Sequence, residues 1–144
     1  MSTKVLICDD SKIARKQLTK MLPADWDIEL EYAQDGQEAL DFIASNPVDI
    51  LFLDLNMPVK DGYQTLEALQ SFPSMPNVIV VSGDVQPKAV QRVKDMGAVA
   101  FMKKPALADA LRDTLLSLDL YSKANTTEKT SSAVPRSVVD DFSL

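Results

Sequence analysis

Residues able to do chemistry stand where apolar runs end. Asp9 and Asp10 follow the run 4–8, Asp54 follows 49–53, Ser82-Gly83-Asp84 closes 77–82, and Lys103-Lys104-Pro105 follows 99–102. If these runs are parallel strands, their C-terminal ends share one edge, where open α/β sheets bind ligands. Three carboxylates, a hydroxyl and an ammonium then converge. Two carboxylates about 4 Å apart repel by roughly 4 kcal/mol at an effective dielectric near 20. Three must therefore protonate, bind a cation or pair with a lysine. Oxygen ligands without imidazole or thiolate select a hard cation, and magnesium takes one or two carboxylates, waters and a phosphate oxygen. Asp54 is the nucleophile candidate, because carboxylates form aspartyl phosphates. A metal bridging Asp54 and an incoming phosphoryl group neutralises charge in a loose transition state. Lys104 is placed to pair with one phosphoryl oxygen and Ser82 to donate to another.

Singly, each residue has a plainer role. Asp9 could cap a helix, which Ser11 can also do. Ser82 is at home in a turn, and Lys104 as a solvated charge. Only their agreement on one edge argues for a site. Asp61-Gly62 reads as an N-cap and turn before a helix, and Cys8 as a small core residue.

The elements that must position these residues alternate. Runs one, three and four are apolar almost throughout, as central parallel strands covered on both faces are. The run 28–33, Ile-Glu-Leu-Glu-Tyr-Ala, alternates like an edge strand. Between the runs, apolar residues recur at helical spacing: Ala14, Leu18, Met21 and Leu22; Ala39, Leu40, Ile43 and Ala44; Leu66 and Leu69; then Leu107, Leu111, Leu115 and Leu118. Each stripe is expected to pack into the core. Asp35 with Glu38 opens the second helix as a capping pair. Pro87 near the start and Gly97 just past the end bracket the fourth. Strict alternation implies an α/β fold: a doubly wound five-stranded parallel sheet, flavodoxin-like order 2-1-3-4-5, with five helices.

Composition narrows the function. The 144 residues suffice for one domain, 46% hydrophobic and 25% charged. A net charge of -6 argues against nucleic-acid binding, which needs a basic face. The absence of histidine removes Ser-His-Asp catalysis, phosphotransfer from histidine of this chain and imidazole zinc sites. One cysteine permits no internal disulfide. No signal peptide or membrane-length apolar stretch is read, so a cytoplasmic location is expected. Residues 122–144, rich in Ser and Thr, read as a polar linker or tail. Its short stretch Val138-Val139-Asp140-Asp141-Phe142 could dock, and the sequence names no surface for it.

The segments Leu6-Ile7-Cys8-Asp9-Asp10-Ser11, Leu53-Asp54-Leu55-Asn56-Met57-Pro58 with Asp61-Gly62, Val80-Val81-Ser82-Gly83, Gly97-Ala98 and Lys104-Pro105, in this order and spacing, resemble receiver domains of two-component response regulators. The resemblance covers about residues 3–120, within a receiver domain 1–121. It implies that Asp54 is phosphorylated by a sensor histidine kinase or phosphotransfer protein. Asp9, Asp10, Asp54 and the Asn56 carbonyl would hold Mg2+ or Mn2+. Lys104 would contact the phosphoryl group, and Ser82 with Phe101 would switch the surface of helix four, strand five and helix five toward an effector or fused output domain. Asn56 and Asp84 would tune the lifetime of the phosphoaspartate. The stretch Ser82-Gly83-Asp84-Val85-Gln86-Pro87 resembles receivers joined to chemotaxis-type phosphatase domains. Such a receiver transfers a phosphoryl group only to itself and is not an enzyme toward other substrates. Two rivals remain: a haloacid-dehalogenase-like phosphatase, which needs an acid where Asn56 stands, and a docking module that is never phosphorylated.

Overall fold

The computed structural model describes residues 2–122. The linker or tail expected over 122–144 therefore lies, from 123 onward, outside the described residues.

Five parallel strands, β1 (Thr3–Cys8), β2 (Ile28–Ala33), β3 (Ile50–Leu53), β4 (Asn77–Ser82) and β5 (Ala100–Lys103), pair in the order β2-β1-β3-β4-β5. Between and after them run α1 (Lys12–Met21), α2 (Gly36–Ser45), α3 (Gly62–Leu69), α4 (Pro87–Asp95) and α5 (Ala108–Ser117). The expected architecture is present. Strand alternation divides the core into two layers. Leu6, Cys8, Leu51, Leu53, Val78 and Val80 meet side chains of α2, α3 and α4. Ile7, Ile50, Phe52, Ile79 and Val81 meet Leu111 and Leu115 of α5. The edge strand β2 keeps Glu29, Glu31 and Tyr32 exposed.

The helix signals act at the atomic level. Ser11 caps α1 by accepting from the Ala14 N–H at 3.1 Å. Asp35 caps α2, but Glu38 reaches back to the Gln34 N–H rather than to that of the cap. Asp61 and Gln64 complete a reciprocal capping box at α3. Gly97 closes α4 at φ 102°, a left-handed conformation that side chains resist.

Four expectations are corrected. The third strand starts at Ile50 and not at Asp49, whose carboxylate accepts from the Lys4 N–H at 2.8 Å. The fifth strand runs one residue later than 99–102. Leu107 does not join the core stripe of α5: it is the N-cap residue and is 63% exposed, because the helix begins only after it. The first stripe is also shallower than expected. No residue of α1 is buried; only Leu22, just beyond it, is.

Candidate functional site

Strand order reverses between β1 and β3, and the acidic residues collect at that point. Asp9 and Asp54 are buried, whereas Asp10 is exposed. One carboxylate oxygen from each lies within 4.8 Å of those of the other two. The Lys104 ammonium reaches in from the end of β5, 2.8 Å from Asp9 Oδ2 and 3.5 Å from Asp54 Oδ1. Its own N–H donates to the Ser82 carbonyl at 2.9 Å, so pairing of β4 with β5 delivers the lysine.

The electrostatics follow from this crowding. Burial, then the charge of Asp9, pushes the Asp54 carboxyl above its usual range against the opposing pull of Lys104. Burial opposes the Lys104 ammonium, yet its bond to Asp9 and the charges of Asp54 and Asp9 outweigh this and raise it. Burial and the neighbouring carboxylates also push the Cys8 thiol up, so it stays protonated and supplies no thiolate ligand. The donor set that remains is all oxygen and suits a hard divalent cation.

Asp9 is the most constrained member. Its Oδ1 accepts from the Ser11 N–H at 2.9 Å, and its carbonyl accepts from Arg15 Nη1 at 2.7 Å. Arg15 was not anticipated; a side chain one helical turn away that returns to a backbone carbonyl leaves no mark in a sequence. Gly62 was anticipated only as a turn residue. A Cβ there would come within 2.5 Å of the Asp54 carbonyl oxygen, so only glycine lets α3 start this close.

The Asn56 side chain is exposed, and its backbone N–H donates to the Asp54 carboxylate. Ser82 is fully buried, and its hydroxyl accepts from the Asp84 N–H at 3.0 Å. The Asp84 carboxylate accepts from the N–H of Gln86, the N-cap of α4, at 3.1 Å. Phe101 is half-buried against the layer formed with α2–α4. It lies one strand over from Val80, on the face that Ser82 shares. Structure thus gathers Asp9, Asp10, Asp54 and Lys104 into one pocket, and sets Ser82, Asp84 and Phe101 on its α4 side.

The family model of the response regulator receiver domain matches residues 5–116. The chain belongs to this receiver family. Among curated relatives, a protein-glutamate methylesterase/protein-glutamine glutaminase of Moorella thermoacetica is 41% identical over 113 residues, 76% of this chain but 26% of that protein. The receiver spans only 26–38% of the length of such methylesterase relatives. Among solved structures, the CheX-CheY-BeF3-Mg+2 complex of Borrelia burgdorferi gives a TM-score of 0.74 at 30% identity, covering 81% of this chain and 89% of that one. The chemotaxis response regulator CheY4 of Vibrio cholerae gives 0.72 at 29%, covering 81% and 98%. Receiver domains bind Mg2+ at an acidic aspartate cluster, and this receiver has such a cluster in Asp9, Asp10 and Asp54. Membership decides against the haloacid-dehalogenase-like reading, as does the exposed amide of Asn56 where that chemistry needs an acid. No helix of the described residues is long and apolar enough to cross a membrane.

Proposed function

We propose that the Asp54 carboxylate accepts a phosphoryl group from the phosphohistidine of a sensor histidine kinase or phosphotransfer protein. An Asp54 oxygen forms the new bond to phosphorus while the P–N bond breaks, and its electron pair returns to the donor imidazole. Asp9, Asp10, Asp54 and the Asn56 carbonyl would hold Mg2+ or Mn2+, which when bound offsets charge on the phosphoryl oxygens. Lys104, already paired with Asp54, follows the new negative charge. The observation that carries this reading is the pocket itself: three carboxylates within 4.8 Å and one ammonium across two of them.

The Ser82 hydroxyl links chemistry to output. As it turns toward the phosphoryl oxygens, the Asp84 N–H loses its acceptor, and with it the turn that leads through Asp84 to the cap of α4. Phe101 takes the space that Ser82 leaves, and the surface of α4, β5 and α5 changes. Moving such a switch from 1:99 to 99:1 needs about 5.5 kcal/mol of differential interaction. That exceeds one charged hydrogen bond, roughly 1.5–3 kcal/mol, so lysine, hydroxyl and cation act together. Asn56 and Asp84, exposed beside the pocket, govern access of water to the phosphoaspartate.

We assign residues 1–121 to the receiver and 122–144 to a linker or tail toward an output. Likeness to methylesterase and chemotaxis relatives supports an output in a chemotaxis-type pathway, and we propose that the receiver works in the cytoplasm. The test is acetyl phosphate with Mg2+ on the intact chain. The wild type takes up one phosphoryl group and Asp54→Asn takes up none. Undiminished labelling of Asp54→Asn would overturn the assignment.

A further inference from the structure

Asp9 and Asp10 stand on the link between β1 and α1, and packing holds that link weakly. Helix α1 buries none of its residues. A cavity of 290 Å³ lies between it and the sheet, walled by Ala14, Leu18 and Met21 and open at Asp9, Asp54 and Lys104. Fixing the two acids is thus left to polar contacts, and every polar atom of Asp9 makes one. Its N–H donates to the Ala33 carbonyl at 3.1 Å. Its Oδ1 accepts from the Ser11 N–H at 2.9 Å, and its Oδ2 faces the Lys104 ammonium at 2.8 Å. Its carbonyl accepts from Arg15 Nη1 at 2.7 Å.

The contact with Arg15 differs from the other three in what it holds. The Asp9 carbonyl belongs to the planar peptide that joins Asp9 to Asp10. A hydrogen bond to that oxygen therefore sets the plane from which Asp10 departs. Asp10 is exposed, yet a carboxylate oxygen of it lies within 4.8 Å of those of Asp9 and Asp54. Arg15 is also the one basic residue of α1 that turns inward: it is half-buried, whereas Lys12, Lys16 and Lys20 are exposed. A cation near a helix N-terminus works against the helix dipole, so stability of α1 does not account for the inward turn.

We infer that Arg15 is a positioning residue for the divalent cation: by fixing the Asp9–Asp10 peptide it presets Asp10 for coordination. The inference deepens the phosphoacceptor reading and rests on it for the role of the cation. Magnesium demands near-ideal octahedral geometry, so a ligand that must be ordered on binding weakens the affinity. Groups that orient metal ligands from behind change affinity by roughly 10–100-fold. Charge alone predicts the opposite sign. Removing a guanidinium beside the pocket lessens repulsion of a dication and strengthens its binding.

Mg2+ titrations of the intact chain, followed by amide NMR, supply the test. Arg15→Met keeps most of the side-chain stem and removes the donor. It should weaken Mg2+ binding by roughly tenfold and move the metal-free amide signal of Asp10. Lys16→Met removes an exposed charge next to it and should bind Mg2+ as tightly as wild type, or more tightly. Unchanged or tighter binding by Arg15→Met overturns the inference, and so does equal weakening by both variants. Arg15→Gln should weaken binding in the same way and serves if Arg15→Met does not fold. Labelling by acetyl phosphate gives the second readout. Arg15→Met should need roughly tenfold more Mg2+ to reach half its maximal rate, and should match wild type at saturation. A lower rate at saturation with an unchanged Mg2+ requirement overturns the positioning role. If wild type itself is not labelled, the phosphoacceptor reading fails, and the titrations still judge Arg15.

Discussion

On the face covered by α2, α3 and α4, each helix buries apolar side chains: Ala39, Leu40 and Ile43 from α2, Leu66 and Leu69 from α3, Ala89 and Val93 from α4. On the opposite face α5 does so with Leu111 and Leu115, but α1 does not. The same strands supply both faces through alternate residues, so the difference lies in α1. Its sequence gives it a narrow apolar arc of Ala14, Leu18 and Met21 among basic residues. Rigidity and access are thereby placed on different sides of one sheet. The first face fixes the strand ends that carry Asp9 and Asp54; the second leaves room beside them.

The largest effect should come from testing that contrast directly. Leu66 is fully buried, and Leu66→Ala should cost about 2–5 kcal/mol, the transfer and cavity cost of a large-to-small core change. Leu18 is half-buried and already borders a cavity. Leu18→Ala should cost only about 1 kcal/mol, the middle of the single-substitution range. Urea midpoints with unchanged m-values measure both. Equal losses would mean that α1 packs as firmly as α3, and the contrast would disappear.

Asp54 sits on the seam between the two faces, and its carboxyl is raised by burial and by Asp9. A raised carboxyl means the fold prefers the protonated form. Without metal, the contribution of Asp54 to stability should therefore be fully present below its unfolded pKa and be lost as pH climbs through the raised folded pKa. Asp54→Asn removes the charge and should gain about 1 kcal/mol at neutral pH, the scale of a single-site change. It should also flatten that pH dependence. Mg2+ should stabilise the wild type by mass action and leave the variant nearly unmoved. Thermal melts with and without Mg2+ decide it, and a metal-free variant less stable than wild type would show that the pair with Lys104 outweighs the crowding.

These features differ in how legible they were. Apolar runs as plain as those of β3 and β4 identify buried parallel strands, and parallel strands have only one C-terminal edge. Asp9, Asp54, Ser82 and Lys104 could therefore be brought together before any coordinates were known. The Asp61 cap and Gly97 were legible because capping is local, whereas the return of Gln64 to the cap was not read. Depth was not. Leu107 and Leu111 share a helical period, yet one is exposed and the other buried, because periodicity reports direction and not where a helix starts. The shallow seating of α1, its cavity and the return of Arg15 to the Asp9 carbonyl all depend on how far a helix stands from its sheet. That is a tertiary distance with no local cause.

An effect no larger than that of Asp54→Asn tests where the α1–α5 face is held. Its far end is clamped by Tyr121, whose ring meets Trp26 at 5.6 Å between centroids and whose hydroxyl donates to Asp25. Burial, with the Asp25 hydrogen bond and charge behind it, pushes the phenol from 10.0 up to about 12. The fold thus favours the neutral phenol. That stability is fully present below pH 10 and is lost as pH rises through about 12. Tyr121→Phe keeps the ring stack and removes the hydroxyl, so at neutral pH it should cost about 1 kcal/mol, the usual net worth of one hydrogen bond. Circular-dichroism melts across the alkaline range should show wild type losing its advantage over Tyr121→Phe in that window. If the variant instead loses stability in parallel, Tyr121 does not anchor this end. The contrast between a clamped far end and an open mouth beside Asp54 would then have to rest on the apolar contacts of α5 alone.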